Sequence, residues 1–298
     1  MIKKVLITGA NGFIGKRFIE YNKERFDITT LSVRDESYKK FDFTSFDSIV
    51  HLAGKAHDMN CKDDSEYFKV NVDITKNLAI KAKADGVKQF IYISSVKVYG
   101  KEDRGLITEK SECFPEDTYG KSKLQAEEFV KTLQDENFAV AIVRPPMVYG
   151  AGVKGNMDRL IDLCQKKYPL PFSKIGNLRT MVFVDNLVEV LNTIIDYKAT
   201  GIFIPADKKP ISTDDLILMI KKSLGEKNNL ISIPKILRSI IKTVKPNLYK
   251  RLFGSFVIDN KNTNATLNFV PPYSTEFGVG VMCNQIKDNK SKLKIQHN

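Results

Sequence analysis

Short apolar, β-branched runs alternate with longer stretches of helical spacing through roughly the first two-thirds of the chain. Lys4–Thr8, Ile28–Val33, Ser48–Leu52, Gln89–Ser94 and Ala139–Arg144 are predicted as strands. Between them Phe13–Arg25, Ser65–Asp85 and Tyr119–Asn137 carry apolar residues at helical intervals. Strand and helix in strict alternation predict a parallel sheet covered on both faces, the doubly wound α/β class.

After Tyr149 the pattern loosens into glycine, proline and asparagine, then resumes in Met157–Lys167, a short strand near Met181–Val184 and a helix over Asn186–Tyr197. Thr213–Leu224 and Ile236–Thr243 read as further helices. The expected division is a sheet domain over 1–148 and 177–204, a smaller α/β lobe over 149–176 and 205–284, and a disordered, lysine-rich tail over 285–298. There is no internal repeat. Along Lys235–Arg251, Ile236, Leu237, Ile240, Ile241 and Val244 line one side and Lys235, Arg238, Lys242 and Lys245 the other. The expectation is that the apolar stripe packs on its own domain and that Pro246 ends the helix; weak peripheral association with a membrane surface is the alternative.

Composition narrows the class. A chain of 298 residues with 42% hydrophobic content can bury a sizeable core. The net charge of +12 is spread over lysines with no arginine-rich block, which argues against nucleic acid. Cys61, Cys113, Cys164 and Cys283 form no Cys-x-x-Cys pair, so a reducing cytoplasm is expected. With only His51, His57 and His297 to add, no metal is expected. The apolar N-terminus runs straight into a glycine turn and reads as a buried strand, with no integral membrane segment in view.

That turn carries the first chemistry. Gly9-Ala10-Asn11-Gly12-Phe13-Ile14-Gly15 joins a strand to a helix, and glycines at this spacing let a pyrophosphate approach the backbone amides at a helix N-terminus. A Rossmann-like, dinucleotide-binding domain is the prediction. At the end of the second strand a carboxylate would bind ribose hydroxyls and select NAD, whereas a cation can accept a 2′-phosphate. Here Ser32 and Arg34 favour NADP, although Asp35 follows at once and keeps NAD open.

The second chemistry is Tyr119-Gly120-Lys121-Ser122-Lys123, a phenol and an ammonium four residues apart on one helix face. Positive charge from Lys123 and an oxidised nicotinamide is expected to bring the phenol towards its working range, and in reduction the same phenol donates its proton. Upstream, Ser94 and Ser95 end a strand on the edge where open α/β sheets bind ligands. One hydroxyl can hold the reacting oxygen while the other caps the strand.

In these residues the chain resembles the extended short-chain dehydrogenase/reductase family of nucleotide-sugar epimerases, dehydratases and reductases. The motifs are Gly9-x-x-Gly12-x-x-Gly15, His51-Leu52-Ala53-Gly54, Asn71-Val72, Ser94-Ser95, Tyr119-x-x-x-Lys123, Arg144-Pro145-Pro146 and Val182-x-Val184-Asp185. The resemblance implies Tyr119 as acid/base, Lys123 as its partner on the nicotinamide ribose and Ser95 on the substrate oxygen. It implies cofactor contacts from Gly9, Asn11, Gly12, Phe13, Ile14, Gly15, Leu52, Ala53, Gly54, Asn71 and Pro146, besides Ser32 and Arg34. Lys97, Asn156, Arg179 and Arg251 would serve the substrate, the arginines gripping its diphosphate. One departure is the short stretch from Arg34 to His51, where the family fits another strand and helix; Asp42 or Phe43 in Phe41-Asp42-Phe43 is what remains for the adenine.

The words around His51–His57, Ser95–Val98, Arg144–Gly150 and Arg251–Ser255 look most like bacterial surface-polysaccharide reductases. By that likeness the expected reaction is NAD(P)H-dependent reduction of the C4 ketone of a UDP-linked 2-acetamido-2,6-dideoxy-hexulose, in a cytoplasmic enzyme compatible with a homodimer. The alternatives are an NAD-dependent UDP-hexose or UDP-N-acetylhexosamine 4-epimerase and a non-catalytic cofactor-binding sensor or scaffold. Dehydration is disfavoured, because Val96-Lys97 stands where dehydratases of this kind carry an acid.

Overall fold

In the computed structural model, which describes residues 2–55, 63–100 and 105–295, β1 (Lys4–Thr8) leads into α1 (Phe13–Tyr21) and β2 (Asp27–Leu31). The chain crosses back to β3 (Ser48–His51), and α2 (Ser65–Phe68) continues through a π turn at Lys69–Asp73 into α3 (Ile74–Ala84). β4 (Gln89–Ile93), β5 (Leu106–Ile107), α4 (Thr118–Thr132) and β6 (Ala139–Val143) follow. Cys61, His57 and His297 lie outside the described residues.

The remainder comprises β7 (Met147–Tyr149), α5 (Asn156–Cys164), β8 (Leu170–Ser173), β9 (Met181–Phe183), α6 (Val184–Tyr197) and β10 (Gly201–Phe203). Then come α7 (Thr213–Leu224), β11 (Leu230–Ser232), α8 (Lys235–Val244), α9 (Pro246–Phe253), β12 (Val257–Ile258), α10 (Lys261–Thr266) and α11 (Thr275–Ile295).

Six strands form one parallel sheet in the order β10-β6-β4-β3-β1-β2. Its two apolar faces explain why the strand sequences are nearly continuously hydrophobic. Leu6, Ile49, Phe90 and Val140 point into one core with Leu78 and Ala82 of α3 and Val130 of α4. Their chain neighbours Val5, Ile7, Val50, Ile91 and Ala141 point into the other, against Phe18 of α1 and Leu187, Leu191 and Ile194 of α6. The chain therefore forms the doubly wound Rossmann-like sheet that the alternation predicted.

Among the described residues only β2 lies beyond β1 at one edge of the sheet. The short stretch after Arg34 makes a single 3-10 turn, Glu36–Lys40, and returns to β3 without adding a strand there. Strand order reverses at β1, so the crevice where open sheets bind ligands opens between the ends of β1 and β3.

Helix boundaries differ from the sequence reading for local reasons. α1 stops at Tyr21 because the backbone and side-chain amides of Asn22 both donate to the Phe18 carbonyl. α4 stops at Thr132, and Asp135 then gathers the amides of Asn137 and Phe138 in a turn before β6. The pairings β7–β9, β8–β11 and β5–β12 were not anticipated; β9 alone of these strands was expected, near Met181–Val184, and the others are too short for periodicity to register.

A further buried cluster gathers Tyr149, Met157, Ile161, Ile217, Ile220, Val279 and Met282 with Met181 and Phe183 of β9. Arg17 ties α1 to α6 through a two-pronged ion pair with Asp185, at 2.5 and 2.8 Å. Cys113, Cys164 and Cys283 are free thiols. α11 runs to Ile295, through most of the segment expected to be a tail.

α8 differs most from expectation. Ile236, Ile240 and Val244 are 78%, 50% and 69% exposed, so these three residues of the expected stripe face outward, whereas Ile241 is half-buried. Arg238 holds the inner side, stacked over Phe253 and donating to the Ile175 carbonyl. Pro246 does end α8, but it also opens α9, for which its fixed φ and missing N–H are suited.

Candidate active site

The glycine loop leaves β1 at the switch point. Gly9 has φ +76°, and a Cβ there would lie 2.6 Å from the Ala53 amide nitrogen, so only glycine fits both the turn and the neighbouring strand end. A Cβ at Gly15 would collide with the Gly9 carbonyl oxygen. Gly12 caps α1 with no side-chain hydrogen bond, which leaves the first helical amides for an anion. Asn11 is exposed beside them, and Phe13 and Ile14 are half-buried. This is a cradle that a pyrophosphate fits and that any larger residue would fill.

On the adenosine side, Ser32 and Arg34 are exposed just past β2. The Asp35 carboxylate is occupied locally: it accepts from the Ser37 amide at 2.9 Å and from the Ser37 hydroxyl, bonds that lower its pKa. The cation at Arg34 is left as the more available partner. Asp42 is exposed and accepts from the Thr44 amide, whereas the Phe43 ring is fully buried in the sheet core under Lys81. Phe43 can therefore meet an adenine only through its backbone.

The opposite wall follows β3. His51 is fully buried between Thr8 Oγ1 at 2.6 Å and Thr75 Oγ1 at 2.9 Å. Burial and the nearby Lys123 push it down to about 3, so it is a neutral strut joining β1, β3 and α3. Leu52 and Ala53 are half-buried beyond it. Asn71 sits in the π turn, a departure that turns its side chain to several partners. Its Oδ1 accepts from the Lys55 amide at 2.8 Å, and its Nδ2 donates to Ser122 Oγ at 3.0 Å. Gly54 lies against this junction: a Cβ would stand 2.9 Å from Asn71 Oδ1 and 3.1 Å from Lys123 Nζ.

Lys123 is buried on α4, donates to the Ile93 carbonyl at 2.9 Å and lies over the Tyr92 ring. Burial pulls its pKa down to about 8, against a raising influence from Glu127 one turn along. Glu127 itself is bound to Arg144 at 2.5 Å in a fully buried pair, with Arg144 also donating to Tyr99. The Arg144-Pro145-Pro146 word is thus partly a structural clamp, with the Pro145 carbonyl accepting from the Val96 amide and Pro146 buried.

Tyr119 stands half-buried in the first turn of α4. Burial raises its pKa to about 12, Asp117 and Tyr67 add to the rise, and a hydrogen bond with Ser95 opposes it. The expected lowering by Lys123 is not what governs this phenol, because desolvation dominates. Ser95 Oγ also accepts from the Lys97 amide at 3.2 Å, so this hydroxyl caps the turn and meets Tyr119 at once. Ser94 is buried, and its hydroxyl has no hydrogen-bond partner among the described residues.

Sequence reasoning overlooked Asp117 and Tyr67. Asp117 caps α4 by accepting from the Gly120 amide at 2.7 Å, and it pairs with Lys97 at 3.8 Å. An Asp just ahead of a helical run is a capping signal that could have identified it. Tyr67 meets the Tyr119 ring edge-on at 6.2 Å, which nothing in the sequence announces.

The lobe residues stand apart from this set. Asn156 is exposed at the start of α5. Arg179 is half-buried, its backbone bridging the Ile211 and Phe256 segments and its Nη2 donating to the Lys250 carbonyl on α9 at 3.0 Å. Arg251 falls on α9, but its side chain lies outside the described residues.

Residues 5–203 match the model of the NAD dependent epimerase/dehydratase family. The chain is 32% identical to a UDP-glucose 4-epimerase of Vibrio cholerae, over 93% of its own length and 94% of that protein. It is 28% identical to a UDP-2-acetamido-2,6-beta-L-arabino-hexul-4-ose reductase of Pseudomonas aeruginosa, over 66% of its length and 51% of that protein. Among solved structures, the UDP-glucuronic acid 4-epimerase of Bacillus cereus in complex with NAD superposes with a TM-score of 0.75 at 20% identity, over 96% of this chain and 99% of that one.

Proposed function

The chain belongs to the NAD dependent epimerase/dehydratase family, and on that premise we propose that it reduces the C4 ketone of a UDP-linked 2-acetamido-2,6-dideoxy-hexulose, using NADPH in preference to NADH. That it is an enzyme acting on nucleotide sugars with a nicotinamide cofactor is common ground for its relatives. The finer reading rests chiefly on one observation: the Tyr119 phenol is in hydrogen-bond contact with Ser95 in a setting whose desolvation favours its protonated, proton-donating form.

A reductase needs a proton donor at the start of the step. When bound, the reduced nicotinamide supplies the hydride to C4. Tyr119 gives its proton to the C4 oxygen as the carbonyl bond opens, and Ser95 donates a hydrogen bond that fixes that oxygen. Lys123, largely protonated at neutral pH even with its lowered pKa, stabilises the phenolate left on Tyr119 and so eases the proton's departure. Asn71 holds the β3 loop and α4 in register around Lys123. Lys97, Asn156, Arg179 and Arg251 are the proposed contacts to the rest of the sugar nucleotide.

The open adenosine side supports the same reading. A reductase must exchange its cofactor every turnover, and here, among the described residues, β2, the exposed Arg34 and the 3-10 turn border that end of the crevice. Arg34 suits a 2′-phosphate while Asp35 is engaged by Ser37. The second reading, a 4-epimerase that returns the hydride to the same carbon, is favoured by the near full-length Vibrio cholerae relative. Exhaustive dialysis separates the two. The reductase loses its cofactor and works only when reduced cofactor is added, whereas activity on UDP-hexoses retained after dialysis would favour the epimerase.

A further inference from the structure

We infer that the outward face of α8, with the adjoining start of α9, docks on an anionic lipid bilayer. Ile236, Ile240 and Val244 recur at intervals of four on α8 and form a single stripe. All three are at least half exposed, and the inner side of the helix is already held to the lobe by Arg238, through Phe253 and the Ile175 carbonyl. Turning the helix to bury the stripe would break those contacts. Ile231, also half exposed, precedes the helix. An apolar stripe left outward on an amphipathic helix calls for a cover.

Charge identifies the cover. Between Glu226 and Asp259 the sequence has no acidic residue. Lys242, Lys245 and Lys250 are exposed on the same helical pair. An outward apolar stripe on a helical pair whose own charged residues are all basic is complementary to the headgroup and acyl boundary of an anionic membrane. No helix among the described residues is long and apolar enough to cross a membrane, so the contact is a surface one. α9 also touches the proposed diphosphate end of the site, since the Lys250 carbonyl accepts from Arg179. A docked molecule would thus hold that end of its cleft beside the headgroups.

The test uses the full chain and vesicles of phosphatidylcholine, either alone or with roughly one-third phosphatidylglycerol. Wild-type protein is expected to sediment with the anionic vesicles, to release with added salt, and to ignore the neutral ones. The triple substitution Ile236→Ser, Ile240→Ser, Val244→Ser should weaken that binding roughly a hundredfold or more. Lys242→Ala with Lys245→Ala should weaken it roughly tenfold or more. Thermal unfolding confirms that each variant is folded; should the triple variant fail, the lysine pair carries the test alone. Binding that is absent in wild type, or unchanged in the folded variants, overturns the inference. So does a wild type that avoids vesicles and forms a dimer which the triple variant lacks, because the cover is then a second copy of the chain.

Discussion

At the level of single residues, Tyr119 and Lys123 have been moved in opposite directions by one cause. Both are withdrawn from water, which raises the phenol to about 12 and lowers the ammonium to about 8. Tyr119→Phe deletes only the hydroxyl, so kcat should fall by roughly 10²- to 10⁴-fold while cofactor affinity, read by fluorescence titration, is kept. Activity within about tenfold of wild type would remove the phenol from the proposed chemistry. Lys123 makes a prediction about stability. Its folded pKa lies below the unfolded value of 10.5, so between about 8 and 10.5 the unfolded chain binds a proton that the folded one does not, and stability from this group rises with pH across that window. Below it the full cost of burying the cation is present. Lys123→Met should therefore lose turnover yet unfold at an equal or higher temperature than wild type near pH 7, with any advantage shrinking towards pH 10. A variant whose advantage instead grew with pH would mean that Lys123 is not held in the lowered state.

At the level of elements, the site is made by ends: the turn after β1, the loop after β3, the cap after β4 and the first turn of α4. The sheet was legible because both of its faces are buried, which writes runs such as Phe90–Ile93 into the sequence without polar interruption. The glycine loop and Tyr119-x-x-x-Lys123 were legible because each needs particular residue types at fixed spacing. The π turn at Lys69–Asp73 was not, since its residues keep the spacing of an ordinary helix while moving Asn71 onto Lys55 and Ser122. Nor could an amphipathic sequence say which face of α8 is covered. On the adenosine side, Arg34→Ala should raise the KM for NADPH several-fold, on the order expected for one charge-assisted phosphate contact, and leave the KM for NADH nearly unchanged. An equal effect on both cofactors would return the 2′-phosphate to some other residue.

For the whole molecule, two ion pairs tie helices to the sheet and to each other. The buried Glu127–Arg144 pair fixes α4 and the Arg17–Asp185 bridge joins α1 to α6. The proposed substrate residues sit largely on segments that the sequence resolved poorly, around the short strands β8, β11 and β12. The fold is shared with the relatives, whereas in the proposed chemistry the net reaction depends on whether cofactor leaves between turnovers. That difference has a direct readout. Purified protein is given the UDP-linked 4-keto-6-deoxy-N-acetylhexosamine with NADPH, and absorbance loss is compared with the amount of reduced sugar formed. One cofactor consumed for each sugar reduced is the predicted result; interconversion of UDP-hexose or UDP-N-acetylhexosamine 4-epimers with no net cofactor consumed, and no reduction of the keto sugar, would contradict it.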